Sequence, residues 1–237
     1  MAMKISICVF LVMIAQAYCQ RESLSLHLKE VAKSVHEIIP DNPTEVTSLK
    51  ALLHLLNIVD YNPKNQVLDL TAWLYLCWDD ARFAWDPEEY GGITQARLPA
   101  SSITQPDFKL FNGARHGMTI DADINCAITN TGRISCVPLV DIESFCPITN
   151  PTGDTFNCSI KLGSWAYDCH QLNITHQGES YVDVTDFEGG WRWQIVESSS
   201  SVTSKQYPCC PELYCNIDVA LKIKDKSRTP LGQWYFQ

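Results

Sequence analysis

The sequence predicts a mainly β domain, with one N-terminal α-helix followed by a twisted antiparallel β-sandwich of about ten strands. Two observations lead to this prediction. Apolar residues recur at helical spacing near the N-terminus, and after residue 49 short runs rich in Val, Ile, Trp, Tyr and Thr alternate with clusters of Pro, Gly, Asn and Asp. The 237 residues show no internal repeat and no linker, so one domain is expected.

The composition excludes several classes of function. The chain has 18 Lys and Arg against 27 Asp and Glu, a net charge of −9, whereas nucleic-acid binding requires a basic patch. Eleven cysteines without a CxxC pair favour an oxidising compartment. GxSxG and HExxH motifs are also missing, so nothing in the sequence supports a secreted hydrolase or redox enzyme, and we predict no cofactor and no metal.

The first residues have the pattern of a signal peptide. Lys4 precedes an apolar run from Ile5 to Ala17 that is too short to cross a bilayer, and no later run reaches spanning length. We expect residues 1–19 to be removed, by cleavage after Ala17 or after Cys19, and residues 20–237 to form the secreted domain. The two cleavage sites leave ten or nine cysteines, so they decide whether all of them can pair.

The predicted helix follows the signal segment. Its apolar positions have the three- and four-residue spacing that places them on one face. They are Leu24, Leu28, Val31, Val35, Ile38 and Ile39. Pro40 and Pro43 follow, and because proline cannot continue a helix, the helix is expected to end there.

The strands are predicted from runs of β-branched and aromatic residues. The clearest runs are 67–78, 134–140, 159–165, 191–197 and 217–223. Turn signals separate them at 62–63, 90–92, 130–132, 151–153 and 189–190. The four serines at 198–201 are interpreted as a loop tip.

One hairpin can be placed more closely. Residues 129–132 form a turn between two predicted strands. Cys126 and Cys136 lie five residues on either side of Thr131, so their side chains can face each other across the ladder. This arrangement allows a cross-strand disulfide.

Tryptophan is abundant, with seven in the chain, and it is the ring best suited to hold a cation. Each one taken singly is more typical of a core. Strand alternation places Trp73, Tyr75 and Cys77 on one face of their strand and Trp78 on the other.

The segment 207–214 reads Tyr-Pro-Cys-Cys-Pro-Glu-Leu-Tyr, so two tyrosines bracket adjacent cysteines. From spacing alone, Cys209 and Cys210 either pair with distant partners or form a strained bond with each other. A metal site that adds Cys215 lacks further ligands and is disfavoured.

Three segments resemble the ligand-binding domain of nicotinic acetylcholine receptor subunits and, more closely, the soluble acetylcholine-binding proteins. They are Trp-Asp-Pro-Glu-Glu-Tyr-Gly-Gly-Ile at 85–93, Asn-Cys-Ser-Ile-Lys-Leu-Gly-Ser-Trp-Ala-Tyr-Asp at 157–168, and the segment 207–214. The resemblance runs from about Leu24 to Lys224. It implies a β-sandwich subunit of a pentamer that holds a cationic cholinergic ligand between neighbouring subunits.

The resemblance also implies which residues line that site. The principal face is matched by Phe111, Trp165, Tyr207, Cys209, Cys210 and Tyr214. The complementary face is matched by Trp73 and Tyr75 and, less closely, by Ser135 and Val137. Phe111 stands where the family has a tyrosine, so a ring is kept and a hydroxyl is lost. Asp186 and Phe187 match a further loop of the complementary face only weakly.

The disulfides expected are Cys146–Cys158, Cys209–Cys210 and Cys126–Cys136. Apart from Cys8 and Cys19 near the N-terminus, three cysteines then remain: Cys77, Cys169 and Cys215. Because Cys77 belongs to the complementary face and Cys169 to the principal face, we predict a Cys77–Cys169 disulfide between neighbouring subunits. The alternative is free buried thiols or a pair within one subunit.

Two departures from receptor subunits favour a secreted, soluble protein, which by the resemblance would be a homopentamer. The loop between Cys146 and Cys158 lacks the Phe-Pro-Phe-Asp stretch that meets the membrane domain in receptor subunits, and the sequence reaches Gln237 without a spanning segment. The alternative is the ectodomain of a ligand-gated channel subunit. Asn157 and Asn173 begin sequons and are predicted to be glycosylated.

Overall fold

The computed structural model describes residues 2–39, 46–148 and 153–228, with side chains from residue 13 onward. The helix α1 is Ala2–Ser34. The strands are β1 Thr47–Asn62, β2 Val67–Asp79, β3 Gln95–Pro99, β4 Phe108–Leu110, β5 Gly113–Ile120, β6 Asn125–Thr129, β7 Arg133–Cys136, β8 Leu139–Phe145, β9 Thr155–Ser164, β10 Leu172–His176, β11 Val182–Asp183, β12 Trp193–Gln206 and β13 Leu213–Asp225. Short 3-10 turns span Ala81–Phe83, Pro87–Tyr90, Ala100–Ser102 and Lys226–Arg228.

The strands form the two sheets of a sandwich. The larger sheet has nine strands with the central order β10-β1-β2-β7-β6-β3, while β11 pairs with β1 and β8 pairs with β2 and β5. The smaller sheet has four strands in the order β12-β13-β9-β4. Pairing is antiparallel except where β1 meets β10 and β11. The predicted fold class is confirmed, with thirteen strands in the described part of the chain.

Alternate residues of the long strands build the core between the sheets. In β2, Leu74 and Trp78 are buried, whereas Trp73 is exposed, as the alternation predicted. Across the core, the rings of Tyr61 in β1 and Phe156 in β9 lie 4.3 Å apart between centroids. This ring contact joins the two sheets.

The helix α1 starts earlier and ends earlier than predicted. It runs through the predicted signal segment and stops at Ser34, although the apolar pattern continues to Ile39. Leu24 and Leu28 are buried on its inner face. Within the described residues, no helix has the length and apolarity needed to cross a membrane. The cleavage of residues 1–19 stays a prediction.

The early end of α1 has a tertiary cause. The carbonyl oxygen of Val35 accepts a hydrogen bond from the Thr104 hydroxyl at 2.5 Å, and that of Glu37 accepts one from the Arg82 guanidinium at 2.8 Å. Because side chains of the sandwich bind these carbonyls, the chain leaves helical geometry before the predicted stop. The prolines of that stop, at 40 and 43, lie outside the described residues.

The run predicted as one strand over 134–140 is divided into β7 and β8. Pro138 lies between them and has no N–H for the ladder. Its carbonyl oxygen instead accepts a hydrogen bond from the amide of Leu74 at 3.0 Å. Both pieces still pair with β2. The strand β7 pairs with the last residues of β2, and β8 pairs with the first part of β2.

The serines at 198–201 lie inside β12, so their interpretation as a loop tip was wrong. They pair in regular antiparallel register with residues 218–221 of β13, in which Val219 and Leu221 are buried. Serine has little strand preference of its own, so pairing with β13 determines that this segment is a strand. The hairpin therefore continues to the pair Gln206 and Leu213.

The predicted hairpin at 129–132 joins β6 to β7. Gly132 has φ of 84°, and a Cβ there would lie 2.3 Å from the carbonyl oxygen of Asp80, so the turn requires glycine. The predicted Cys126–Cys136 disulfide is confirmed, with Cα atoms 4.5 Å apart. Cys146–Cys158 is confirmed as well. The turn signal at 151–152, in the loop of that second disulfide, falls outside the described residues.

The predicted Cys77–Cys169 disulfide between subunits was wrong. Cys169 is bonded to Cys215 of the same chain, with Cα atoms 5.2 Å apart. The amide of Cys169 donates to the carbonyl oxygen of Leu213 at 2.8 Å, which brings the segment after β9 to the start of β13. Cys77 is a buried thiol that accepts a hydrogen bond from the Ser135 hydroxyl at 3.4 Å, so it is not available to a neighbouring subunit.

Candidate ligand-binding site

Trp165 follows β9 directly and is 69% exposed. The carboxylate of Asp107 fixes the backbone around it. Asp107 accepts hydrogen bonds from the Ser164 hydroxyl at 2.5 Å and from the amides of Trp165 and Ala166 at 3.1 and 2.6 Å. A large ring held at the surface on a fixed backbone is pre-organised for a ligand or a partner.

Phe111 flanks this indole. The ring centroids of Phe111 and Trp165 lie 6.0 Å apart, tilted by 40°. The amide of Phe111 donates to the carbonyl oxygen of Lys161 in β9 at 2.8 Å. Gly163 makes room for the ring, because a Cβ there would lie 2.7 Å from Phe111 Cε2. The structure therefore brings together these two residues predicted for the principal face.

Residues 207–212, here called the capping loop, join β12 to β13. The rings of Tyr207 and Tyr214 meet edge to face at 5.9 Å. The ammonium of Lys205 lies 4.9 Å from the centre of the Tyr207 ring. Residues 206–211 line an open pocket of about 510 Å³. Desolvation, followed by the charge of Cys210, raises the pKa of Tyr214, so its hydroxyl stays neutral at physiological pH.

Cys209 and Cys210 are free thiols in the structure, which differs from the disulfide predicted between them. A bond between adjacent cysteines closes a strained ring and distorts the intervening peptide. Here the capping loop forms a turn in which the amide of Cys210 donates to the carbonyl oxygen of Tyr207 at 3.1 Å. A hydrogen bond with Cys209 raises the pKa of Cys210. The bond between Cys209 and Cys210 stays a prediction.

The Cys169–Cys215 disulfide ties the two parts of the principal face together, and it is a pair within one subunit, which the sequence analysis left open as the alternative. Cys169 lies four residues after Trp165, and Cys215 follows Tyr214 directly. The bond therefore anchors the base of the capping loop to the segment that carries the indole. The sequence shows only that both unassigned cysteines fall within or beside principal-face motifs, which does not specify a bond between them.

The complementary-face residues lie on neighbouring strands of the nine-stranded sheet, apart from Val137, which lies between β7 and β8. Trp73 is 42% and Val137 44% exposed, while Tyr75 and Ser135 are half-buried. Ser135 of β7 pairs with residue 77 of β2, so these side chains occupy one region of the sheet. Burial, followed by a hydrogen bond with the residue 77 thiol, raises the pKa of Tyr75.

Trp73 has a neighbour that the sequence analysis did not identify. His54 of β1 stacks on its indole, with centroids 5.5 Å apart and an interplanar angle of 27°. Nδ1 of His54 lies 3.2 Å from a carboxylate oxygen of Asp183, and Nε2 lies 2.9 Å from one of Asp186. The weakly matched loop around Asp186 and Phe187 is therefore placed beside the complementary face, with Phe187 packed against the core.

Within one chain the two sets of aromatic residues form separate half-sites. Among the ring contacts of the described residues, Phe111 meets Trp165 and Tyr207 meets Tyr214, whereas Trp73 meets a histidine. The aromatic residues of the principal face lie in or next to strands of the four-stranded sheet, and those of the complementary face lie on the nine-stranded sheet.

Two further predictions concern metal binding and glycosylation. In residues 2–39, 46–148 and 153–228, no group of three His, Cys, Asp or Glu side chains is arranged to hold a metal ion. Cys215 is in a disulfide, so it cannot join Cys209 and Cys210 as a ligand. Asn157 and Asn173 are both exposed on strands, as acceptors must be, and their glycosylation stays a prediction.

A β-sandwich with exposed rings on both sheets, a hairpin tipped by two cysteines and a small disulfide loop defines a receptor-type ligand-binding domain. The comparison with known families agrees. The chain belongs to the family described as neurotransmitter-gated ion-channel ligand binding domain, whose sequence model matches residues 26–227. The resemblance stated from the motifs is therefore confirmed.

Similar proteins are acetylcholine receptor subunits. The human neuronal acetylcholine receptor subunit alpha-2 is 32% identical over 192 residues, which cover 80% of this chain and 36% of the relative. The alpha-6 subunit of Rattus norvegicus is 32% identical over 186 residues, covering 78% and 38%. The acetylcholine receptor subunit alpha-L1 of Schistocerca gregaria is 30% identical over 196 residues, covering 78% and 35%. The chain thus spans less than two fifths of the length of each.

Proposed function

We propose that the protein binds a cationic cholinergic ligand, such as acetylcholine or nicotine, between two copies of itself in a homopentamer. One copy contributes its principal face and the next its complementary face. The proposal is carried by Trp165, which is exposed on a backbone that Asp107 holds, with Phe111 beside it. The names of the relatives, all acetylcholine receptor subunits, support this ligand class.

The chemistry of the half-sites suits a quaternary ammonium. Such a cation has no N–H to donate, and ring faces attract it by about 0.5–2 kcal/mol each. Both oxygens of Asp107 are already engaged by Ser164 and by backbone amides, so the rings rather than an ion pair supply the attraction. The net charge of −9 adds a long-range attraction for cations.

We also propose that the capping loop is oxidised in the secreted protein. The thiols of Cys209 and Cys210 would form one S–S bond, and their protons and electrons would reduce a disulfide of a secretory-pathway oxidoreductase to its dithiol. A rigid, uncharged tip would then press on the ligand. Peptide mapping without reductant should return one peptide that carries both cysteines and lacks the two thiol hydrogens. A cross-link from either cysteine to a distant peptide contradicts this.

The ectodomain of a ligand-gated channel subunit is the second candidate. The relatives favour it, because each is a receptor subunit that this chain matches over only part of its length. The secreted form is favoured by the loop from Cys146 to Cys158, which lacks Phe-Pro-Phe-Asp. Detection in the source tissue separates the two. A secreted product with the light-scattering mass of a pentamer supports the first, and a larger, membrane-retained product supports the second.

Tryptophan fluorescence titrated with acetylcholine tests the binding function. The ligand should quench or shift the emission, because Trp165 and Trp73 would contact it. Trp191→Ala is a matched control, since Trp191 is 60% exposed and belongs to neither half-site. An unchanged spectrum together with no heat of binding in calorimetry contradicts the proposal.

A further inference from the structure

His54 lies in the middle of a row of side chains that crosses three strands of the nine-stranded sheet. Asp183 of β11 pairs with His54 of β1, and His54 pairs with Trp73 of β2. Residues at the same level on adjacent strands project from the same face of a sheet. The row therefore connects the segment 183–187, here called the F segment, with the exposed indole of the complementary face.

Both ring nitrogens of His54 meet carboxylates, Asp183 at 3.2 Å and Asp186 at 2.9 Å. A carboxylate oxygen only accepts hydrogen bonds, so both contacts are hydrogen bonds at once only when both nitrogens carry a hydrogen. That species is the imidazolium. The His54 side chain is 16% exposed, so its contacts are largely shielded from water. These three side chains are here called the His54 clamp.

The two carboxylates of the clamp differ in how they are held. The other oxygen of Asp183 accepts from the amide and the hydroxyl of Thr185 at 2.9 and 2.8 Å. These hydrogen bonds, and then the charge of His54, lower the pKa of Asp183. Asp186 is 69% exposed and reaches His54 from further along the F segment. A neutral imidazole has one N–H, so deprotonation removes one of the two hydrogen bonds. Asp183 is held by Thr185 in either case, so Asp186 is the carboxylate whose position depends on the imidazolium.

We propose that His54 is a positioning residue for ligand binding, and that its protonation closes the F segment against Trp73, so that affinity for a cation falls as pH rises. This inference rests on the proposed function. With both contacts made, the F segment is held beside the complementary face and the imidazolium supports one face of the indole. Loss of the proton removes one of these restraints.

The net charge of the His54 clamp has the opposite effect on the affinity for a cation as pH rises. The groups facing His54 are Asp183 and Asp186 from the F segment and the uncharged Trp73 from β2. Two carboxylates with an imidazolium carry net charge −1, and with a neutral imidazole −2, which would favour a cation at high pH. Asp186 is mostly exposed, so solvent weakens this charge effect. Affinity falls with rising pH only if the positioning effect is the larger of the two, and the sign of the pH profile decides between them.

The test measures acetylcholine affinity between about pH 5.5 and about pH 8.5, the range in which histidines titrate. The quaternary ammonium of acetylcholine does not titrate. Affinity of the wild-type protein should fall by about two- to fivefold across this range, the effect of one partly exposed ion pair. His54→Gln should give a flat profile at the weak end. His54→Arg should give a flat profile at the tight end, because arginine is always charged and donates from a planar group.

His116→Gln is the control, because it removes an exposed histidine of β5 outside the clamp and should keep the wild-type profile. A second readout needs no ligand. Amide hydrogen exchange of the F segment at about pH 6 should be faster in His54→Gln than in the wild type and in His54→Arg. A flat wild-type profile, a rise of affinity with pH, or equal exchange in the three proteins overturns the inference. If acetylcholine binds at no pH, the proposed function fails, and the exchange comparison still decides the clamp.

Discussion

The two half-sites are built from different kinds of structure. Trp73 and Tyr75 lie on β2, a strand with hydrogen-bonded neighbours on both sides, so the sheet itself sets their positions. Trp165 and the capping loop lie beyond the ends of strands, where no ladder holds them. Local devices replace the ladder there: the Asp107 carboxylate under Trp165 and the Cys169–Cys215 disulfide.

This difference assigns different properties to the two faces. A side chain on a central strand is pre-positioned, because moving it requires opening the sheet. A loop that a few bonds hold is more mobile and can adapt to a ligand. We therefore expect the capping loop of the principal face to close on the ligand, and Trp165 and the complementary face to receive it. The predictions below test this division, from the largest expected effect to the smallest.

Of the variants considered, the double variant Cys169→Ser/Cys215→Ser should have the largest effect on the principal face. Loss of this disulfide should lower the free energy of unfolding by about 2–4 kcal/mol. It should also speed amide exchange in the capping loop and ligand dissociation, because the loop loses its covalent anchor. Cys126→Ser/Cys136→Ser is the matched control and should leave exchange in the capping loop unchanged. If exchange there is the same in both variants, the disulfide is not the anchor.

Trp165→Ala should weaken acetylcholine binding by at least about 2 kcal/mol, from one lost cation–π contact and its buried ring area. Trp73→Ala should weaken it less, because His54 already covers one face of that indole. Isothermal calorimetry measures both. Unchanged binding by Trp165→Ala would show that the principal face is assigned wrongly, and a larger loss for Trp73→Ala would reverse the comparison.

Phe111→Tyr should change acetylcholine affinity by up to about 1.5 kcal/mol, the net contribution of one hydrogen bond. The variant restores the hydroxyl that the family has at this position, next to Trp165. Binding isotherms of the two proteins provide the measurement. Superimposable isotherms would indicate that residue 111 does not face the ligand.

Lys205→Gln should strengthen acetylcholine binding by about 0.5 kcal/mol, the effect of one exposed cation–π contact. The ammonium of Lys205 lies over the Tyr207 ring and competes with the ligand for it. Lys64→Gln in the turn after β1 changes the net charge equally and is the control. An equal gain in both variants would mean that only net charge matters.

The sequence alone was sufficient where a local rule decides the structure. Alternation along β2 separated Trp73 from Trp78, and the glycine turn at 129–132 placed Cys126 opposite Cys136. The motif around Trp165 led to the family. In each case the residues that decide the outcome are close together in the chain, so their spacing is enough.

The sequence was insufficient where contacts with residues far away in the chain determine the local structure. The serines at 198–201 are a strand because β13 pairs with them, and α1 ends at Ser34 because Thr104 and Arg82 bind the carbonyls that follow. The partner of Cys169 was predicted wrongly for the same reason. Nothing in the spacing of Cys169 indicates that backbone pairing brings it to the start of β13.

The sequence by itself determined the fold class, the family and the ring-bearing residues of the two half-sites, since periodicity and short motifs specify these. Only the tertiary structure determined which side chains contact those rings and hold them in position. His54 lies more than a hundred residues from Asp183 and Asp186, and the parallel pairing of β1 with β11 brings them together beneath Trp73. Strand register between distant segments depends on the packing of both sheets, and no local pattern encodes it.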